Sequence, residues 1–303
     1  MRGEHAKGNL IGIAGGLLIS ADALLIRLMR IDDGWTLAAL RGALMWVVLA
    51  TLYVCVPRLR ALLGRPWPTR NNAIVVVCYS VSAIGFVQAL LLGPVAMVLV
   101  IIASTPFMAA LFAWLVNGER APWPLLVAIA IGMLGVAIVV FSGAEGNSWA
   151  ADLYALATAV SMALALVFSA RVRGGTMGLP SIGGALASII VCVVHPSVLT
   201  ALHTLGHSAW LWLFVEGAIV MPVSMGLLSL STRFVPASVV GLFLLLETAF
   251  GPLWIWFAYG EAPSLSALIG GALIIGAVIG HFVCDSQRGP ARADAAADSP
   301  NAC

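Results

Sequence analysis

Residues 94–122 read PVAMVLVIIASTPFMAALFAWLVNGERAP, and residues 236–263 read PASVVGLFLLLETAFGPLWIWFAYGEAP. A shift of 142 residues carries Pro94 onto Pro236, Phe112 onto Trp254, Trp114 onto Trp256, Gly118 onto Gly260 and Glu119 onto Glu261. Each copy is an apolar run of membrane length, opened by proline and closed by Gly-Glu. A repeat of about half a chain fixes architecture before any single motif does. It predicts an all-α integral membrane protein built from two similar halves.

Composition points the same way. Of 303 residues, 61% are apolar and 9% charged, against roughly a quarter charged in soluble domains. So few charges cannot cover a water-exposed surface of this chain. The net charge of +2 gives no basis for a nucleic-acid partner. The five cysteines form no CxxC pair and read as small core residues. The apolar run near the N-terminus carries Asp22 and no small-residue cleavage site, so it reads as a first span rather than a signal peptide.

A spanning helix needs about 20 mostly apolar residues. Ten segments qualify: 9–29, 35–56, 72–92, 95–117, 122–142, 149–171, 180–202, 209–231, 236–259 and 263–284. Lys and Arg concentrate in short cytoplasmic loops, which puts both termini inside: Arg58, Arg60, Arg65, Arg70, Arg120, Arg171 and Arg233 fall on one side, and Arg30 alone on the other. Five spans per half is odd, so the halves enter the membrane with opposite orientation. The expected division is 1–145, 146–285 and a disordered cytoplasmic tail over 286–303. Inverted halves are a recurrent plan among secondary transporters, with the substrate near the midplane between them.

On these residues, with Leu40-Arg41 early in the second span and Leu246-Glu247-Thr248-Ala249-Phe250-Gly251-Pro252 in the ninth, the chain resembles the drug/metabolite transporter superfamily. It is most similar to the EamA-type ten-helix carriers of the bacterial aromatic amino-acid exporter branch. The resemblance covers about residues 8–284, with one departure: Thr248 stands where the family has a proline. It implies a basket of spans 1–4 and 6–9 around a central cavity, spans 5 and 10 outside it, a bacterial-type plasma membrane, and amino acids, aromatic ones included, as exported substrates. Export of a drug or another metabolite is the alternative within that superfamily.

Ionisable groups in hydrocarbon cost roughly 2.5–3.5 kcal/mol on insertion scales, so each needs a reason. Glu247 shares a helical face with Phe243, Phe250 and Trp254. A carboxylate among aromatics suits an ammonium group on an apolar body; a purely structural glutamate is the other reading. Asp22 and Arg41 lie about nine residues either side of the turn near Ile31-Asp32, at matching depth in an antiparallel hairpin. They read as a buried ion pair, structural or gating. Ser20, Tyr79, Ser82, Gln88, Thr105, Thr158 and Ser161 are candidate lining for a small-molecule site, or plain cross-helix hydrogen bonding. Glu216 and Asp152 read as interfacial. Gly12-xxx-Gly16 and Gly276-xxx-Gly280 read as close helix contacts. His203 and His207 have the spacing of a metal pair but no third ligand, so neither a metal nor a cofactor is expected. An intramembrane enzyme lacks HExxH, GxSxG or a Cys/His constellation, and a channel lacks a filter-like loop or a ring of charges.

Overall fold

The computed structural model describes residues 2–31, 33–64, 69–93, 95–118, 121–141, 148–172, 174–202, 205–260 and 265–297. Pro94, Glu119, Arg120, His203, Glu261, Ala262, Pro263 and Asp32 therefore lie outside the described residues. Within them the chain is helical, with no strand.

The helices, in order, are α1 (Arg2–Ile19), α2 (Asp22–Met29), α3 (Gly34–Cys55), α4 (Arg60–Leu63), α5 (Arg70–Leu92), α6 (Val95–Ile102), α7 (Thr105–Asn117), α8 (Trp123–Phe141), α9 (Trp149–Ala170), α10 (Leu179–Val194), α11 (Ser197–Ala201), α12 (His207–Phe214), α13 (Met221–Ser231), α14 (Ala237–Tyr259) and α15 (Leu265–Ala297). A short 3₁₀ turn precedes α4, and a π-helical segment, Val215–Val220, joins α12 to α13. Six stretches are long and apolar enough to cross a membrane: Glu4–Met29, Gly34–Cys55, Arg70–Leu92, Trp149–Ala170, His207–Ser231 and Ala237–Tyr259. Four shorter apolar helices lie within Thr105–Asn117, Trp123–Ile138, Leu179–Val194 and Leu268–His281.

Four stretches expected as continuous helices are interrupted, each for a local reason. Pro106 has no N–H to offer the carbonyl of Ile102. The Thr105 hydroxyl donates to that carbonyl instead, at 2.5 Å, and the Ser104 hydroxyl donates to Ile101 O at 2.6 Å; α6 therefore ends and α7 begins. Pro222 likewise cannot continue the bonding of the preceding turn, and the chain widens to i→i+5 bonding, with Met221 N–H donating to Glu216 O. Between α1 and α2 the chain turns at Ser20-Ala21, where the Ser20 hydroxyl donates to Leu17 O at 2.6 Å. The stretch 180–202 divides at His195-Pro196 for the same proline reason.

The last helix is the longest of the described ones. Helix α15 runs on to Ala297 through part of the stretch read as a disordered tail. Ala291, Ala293 and Ala295–Ala297 explain it, since alanine is the strongest helix former.

Packing is closest where glycine lets backbones meet. A Cβ on Gly12 would fall 2.3 Å from the Phe243 ring, and one on Gly16 would fall 2.4 Å from the Phe243 carbonyl. The first small-residue pair thus seats α14 on α1. The second does not act this way: a Cβ on Gly276 or Gly280 would meet nothing within 4 Å. Large apolar side chains face outward on many helices, Leu10, Val54, Val193 and Phe257 among them. Trp123 and Trp149, at the starts of α8 and α9, are three-quarters or more exposed, at 75% and 79%. Such a surface is what lipid and its interface demand, and the chain is membrane-embedded on that ground.

Candidate functional site: a charged cluster on a central cavity

The interruptions bring polar groups to one place. Asp22 is the first residue of α2, and Arg41 lies a third of the way along α3. The guanidinium Nη2 donates to both carboxylate oxygens of Asp22, at 3.0 and 3.1 Å. Its Nε stands 2.8 Å from Oε1 of Glu216, in the π-helical segment. All three side chains are buried, Glu216 completely. Removing such groups from water costs several kcal/mol per ion, which a shared guanidinium only partly offsets. Arg41 Nη1 is buried without a hydrogen-bond partner.

Glu216 corrects the sequence reading, which put it at a wet helix end. It lies nine residues past His207, about 13 Å along a helix at 1.5 Å per residue, too deep for a short carboxylate to reach water. The widened turn was not visible in the apolar pattern. Asp152, in the first turn of α9, is half-buried and suits the positive end of that helix.

These groups flank a central cavity with about 980 Å³ of empty space, counting its mouth. Its wall is mostly apolar. Asp22, Arg41, Tyr79, Ser82, Thr105, Thr158, Glu247 and Thr248 supply the polar part, and four methionines, Met45, Met162, Met221 and Met225, line it as well. Spans formed by α1–α3, α5–α7, α9, α10, α13 and α14 contribute; α8 and α15 do not. Glu247 is only partly exposed, and its Oε1 is buried with no hydrogen-bond partner. The Phe86 ring lies 6.0 Å from the Arg41 guanidinium carbon.

Other candidate residues sit elsewhere. Phe243 is buried against α1, and Phe250 packs partly buried against the main core. Trp254 donates its indole N–H to the Ser20 hydroxyl at 2.8 Å, tying α14 to the break after α1. The geometry of one helix explains the separation. At about 100° per residue, Trp254, Phe243 and Phe250 lie roughly 20–60° to one side of Glu247, while Leu244 and Thr248 lie about 60–100° to the other. The cavity is on the second side. Of Phe243, Glu247, Phe250 and Trp254, only Glu247 lines the cavity.

Ser161 bonds back to Ala157 O at 2.6 Å, off the cavity wall. Gln88 is buried away from the cavity, near the start of α3, with its Nε2 unpartnered. Thr158 lines the cavity while its hydroxyl donates to Tyr154 O at 2.8 Å, and Tyr79 OH is buried without a partner. Among the described residues no group of three His, Cys, Asp or Glu could hold a metal ion.

No family model matches the chain, and no curated protein matches it. A solved structure described only as "Crystal structure of protein" is 19% identical, with a TM-score of 0.76 over 92% of this chain and 98% of that chain. At that identity the likeness is one of fold alone: this chain is similar to that protein in the path of its helices.

Proposed function

We propose that the protein is a secondary transporter that exports small amphiphilic metabolites bearing an amino group by alternating access, from a plasma membrane it crosses ten times in two inverted halves. Amino acids, aromatic ones included, are the class that the family resemblance implies. The observation that carries the reading is the cavity itself, enclosed among membrane-length helices, walled by both halves and edged by buried charge. Charge at that depth is costly and marks a functional path.

Packing supports the two-fold plan. Counting ten spans, the main contacts join span 3 to 6 and 1 to 8, 4 to 6 and 1 to 9, 3 to 7 and 2 to 8, and 2 to 7, 4 to 9 and 5 to 10. Exchanging the halves, so that 1 becomes 6 and 3 becomes 8, maps this set onto itself. Gly42 and Gly184, related by the same shift of 142 residues, meet each other: a Cβ on Gly42 would fall 2.1 Å from the Gly184 carbonyl oxygen. Residues beside a two-fold axis touch their own equivalents, as in any isologous contact. Both glycines line the cavity, which supports an axis passing it, where inverted-repeat carriers bind substrate.

The test is counterflow in proteoliposomes. Saturable exchange of labelled phenylalanine against unlabelled phenylalanine or a related amine is expected, at a rate that plateaus with concentration. Flux linear in concentration, or chemical conversion of the solute, contradicts a carrier.

A further inference from the structure

Charge on the cavity does not balance. Asp22 and Glu247 share the wall with Arg41, the only described basic residue there, and Glu216, off the wall, draws on the same guanidinium. Arg41 is hydrogen-bonded to Asp22 and ion-paired with Glu216, whose oxygens make no hydrogen bond. Glu247, on the wall itself, has among the described residues neither an ion pair nor a hydrogen-bond partner for its buried Oε1. On the same wall Arg41, 4% exposed, keeps one nitrogen, Nη1, without a partner. The site therefore lacks a positive charge opposite Glu247 and a hydrogen-bond acceptor opposite Arg41 Nη1.

These two vacancies differ in kind. An ammonium answers the first, because opposite charges at short range in a poorly hydrated interior attract strongly. A carboxylate is the wrong answer to the second. It would be a third anion around one guanidinium, close to two like charges, and like charges in one site disfavour each other's ionised forms. A neutral carbonyl or hydroxyl oxygen accepts from Nη1 without that repulsion. The remaining wall takes an apolar body of variable shape, since methionine side chains are flexible and polarisable.

We propose that the cavity selects a net cation: a small amine with an apolar body and an uncharged acceptor, its ammonium at Glu247 and its acceptor at Arg41 Nη1. The zwitterionic amino acid of the same shape is the poorer ligand. The inference rests on the carrier reading and narrows its substrate class.

Phenylalanine and phenylalaninamide have the same body and ammonium and differ in carboxylate against amide. Calorimetric titration of the detergent-solubilised full chain, at a slightly acid pH that keeps both amines protonated, gives the preference directly. The amide is expected to bind roughly tenfold tighter, a difference of about 1.4 kcal/mol. Hydrocinnamamide, which lacks the ammonium, is expected not to displace it. Glu247→Gln should bring the amide and the acid within about twofold of each other. Equal or tighter binding of phenylalanine, displacement by hydrocinnamamide, binding of neither amine, or an unchanged preference in the Glu247→Gln protein overturns the proposal. The first three are read on the unaltered protein and do not depend on the variant folding. Saturable counterflow of phenylalanine with no gain for its amide defeats this inference alone; a cation preference in binding without counterflow of any solute defeats the carrier reading alone.

Discussion

Arg41 holds two carboxylates at once, so the three members of the cluster are not equivalent. Asp22→Asn leaves the guanidinium bound to Glu216. Arg41→Met instead strands Asp22 and Glu216 together with no counter-charge. Breaking a buried pair costs about 3–5 kcal/mol, most of it from the charge left behind. Arg41→Met is therefore expected to lower thermal stability in detergent well beyond Asp22→Asn. Adding Asp22→Asn and Glu216→Gln to Arg41→Met should recover part of the loss. Equal midpoints for the Arg41→Met and Asp22→Asn proteins would show that the second arm, to Glu216, contributes nothing. Half of this cluster was legible in the sequence: a tight turn near Ile31 brings Asp22 and Arg41 to one depth. Glu216 was not, because depth along the eighth span had to be counted from its start, and nothing in the residue pattern announced the widened turn before Pro222.

At the scale of the helix, glycines sort by what a side chain would meet. Gly42 faces the backbone of α10, and an added methyl would press on the Gly184 carbonyl, with the Ser188 hydroxyl also within 2.5 Å. Ser188 itself donates to Ala39 O at 2.6 Å across the same crossing. Gly276 meets nothing within 4 Å. Gly42→Ala is expected to destabilise by about 1–3 kcal/mol, as overpacking does. Gly276→Ala is expected to be neutral or to stabilise by up to about 1 kcal/mol, from helix propensity alone. Thermal denaturation of the two purified variants checks both signs, and a Gly42→Ala protein as stable as the parent would refute the close crossing. Helix existence was legible throughout, because apolar runs bounded by Pro and Gly-Glu leave little else to form. The breaks were less so. A proline inside an apolar run announces some break, but Thr105 satisfying a freed carbonyl, or a turn widening to the π form, depends on neighbours that the run does not name. Where the cavity edge falls on α14 was not legible for a related reason. Four residues within about 60° of one another count as one face, yet a cavity edge falls between them.

For the whole molecule, the repeat of 142 residues predicts two inverted halves, and contacts that exchange into themselves when the halves are swapped support that proposal. Such a plan has a mechanical consequence. On the proposed plan, two inverted halves around one cavity would make inward-open and outward-open arrangements alternative forms of the same packing, close enough in energy for both to be populated. Ser82, buried on the cavity wall, reports which side the cavity faces. In a chain with its native cysteines replaced and Ser82→Cys introduced, a membrane-impermeant thiol reagent should modify the new thiol when added to either face of right-side-out or inverted vesicles, and transported amine should slow both reactions. Modification from one face only, unchanged by any amine, would contradict alternating access to this cavity.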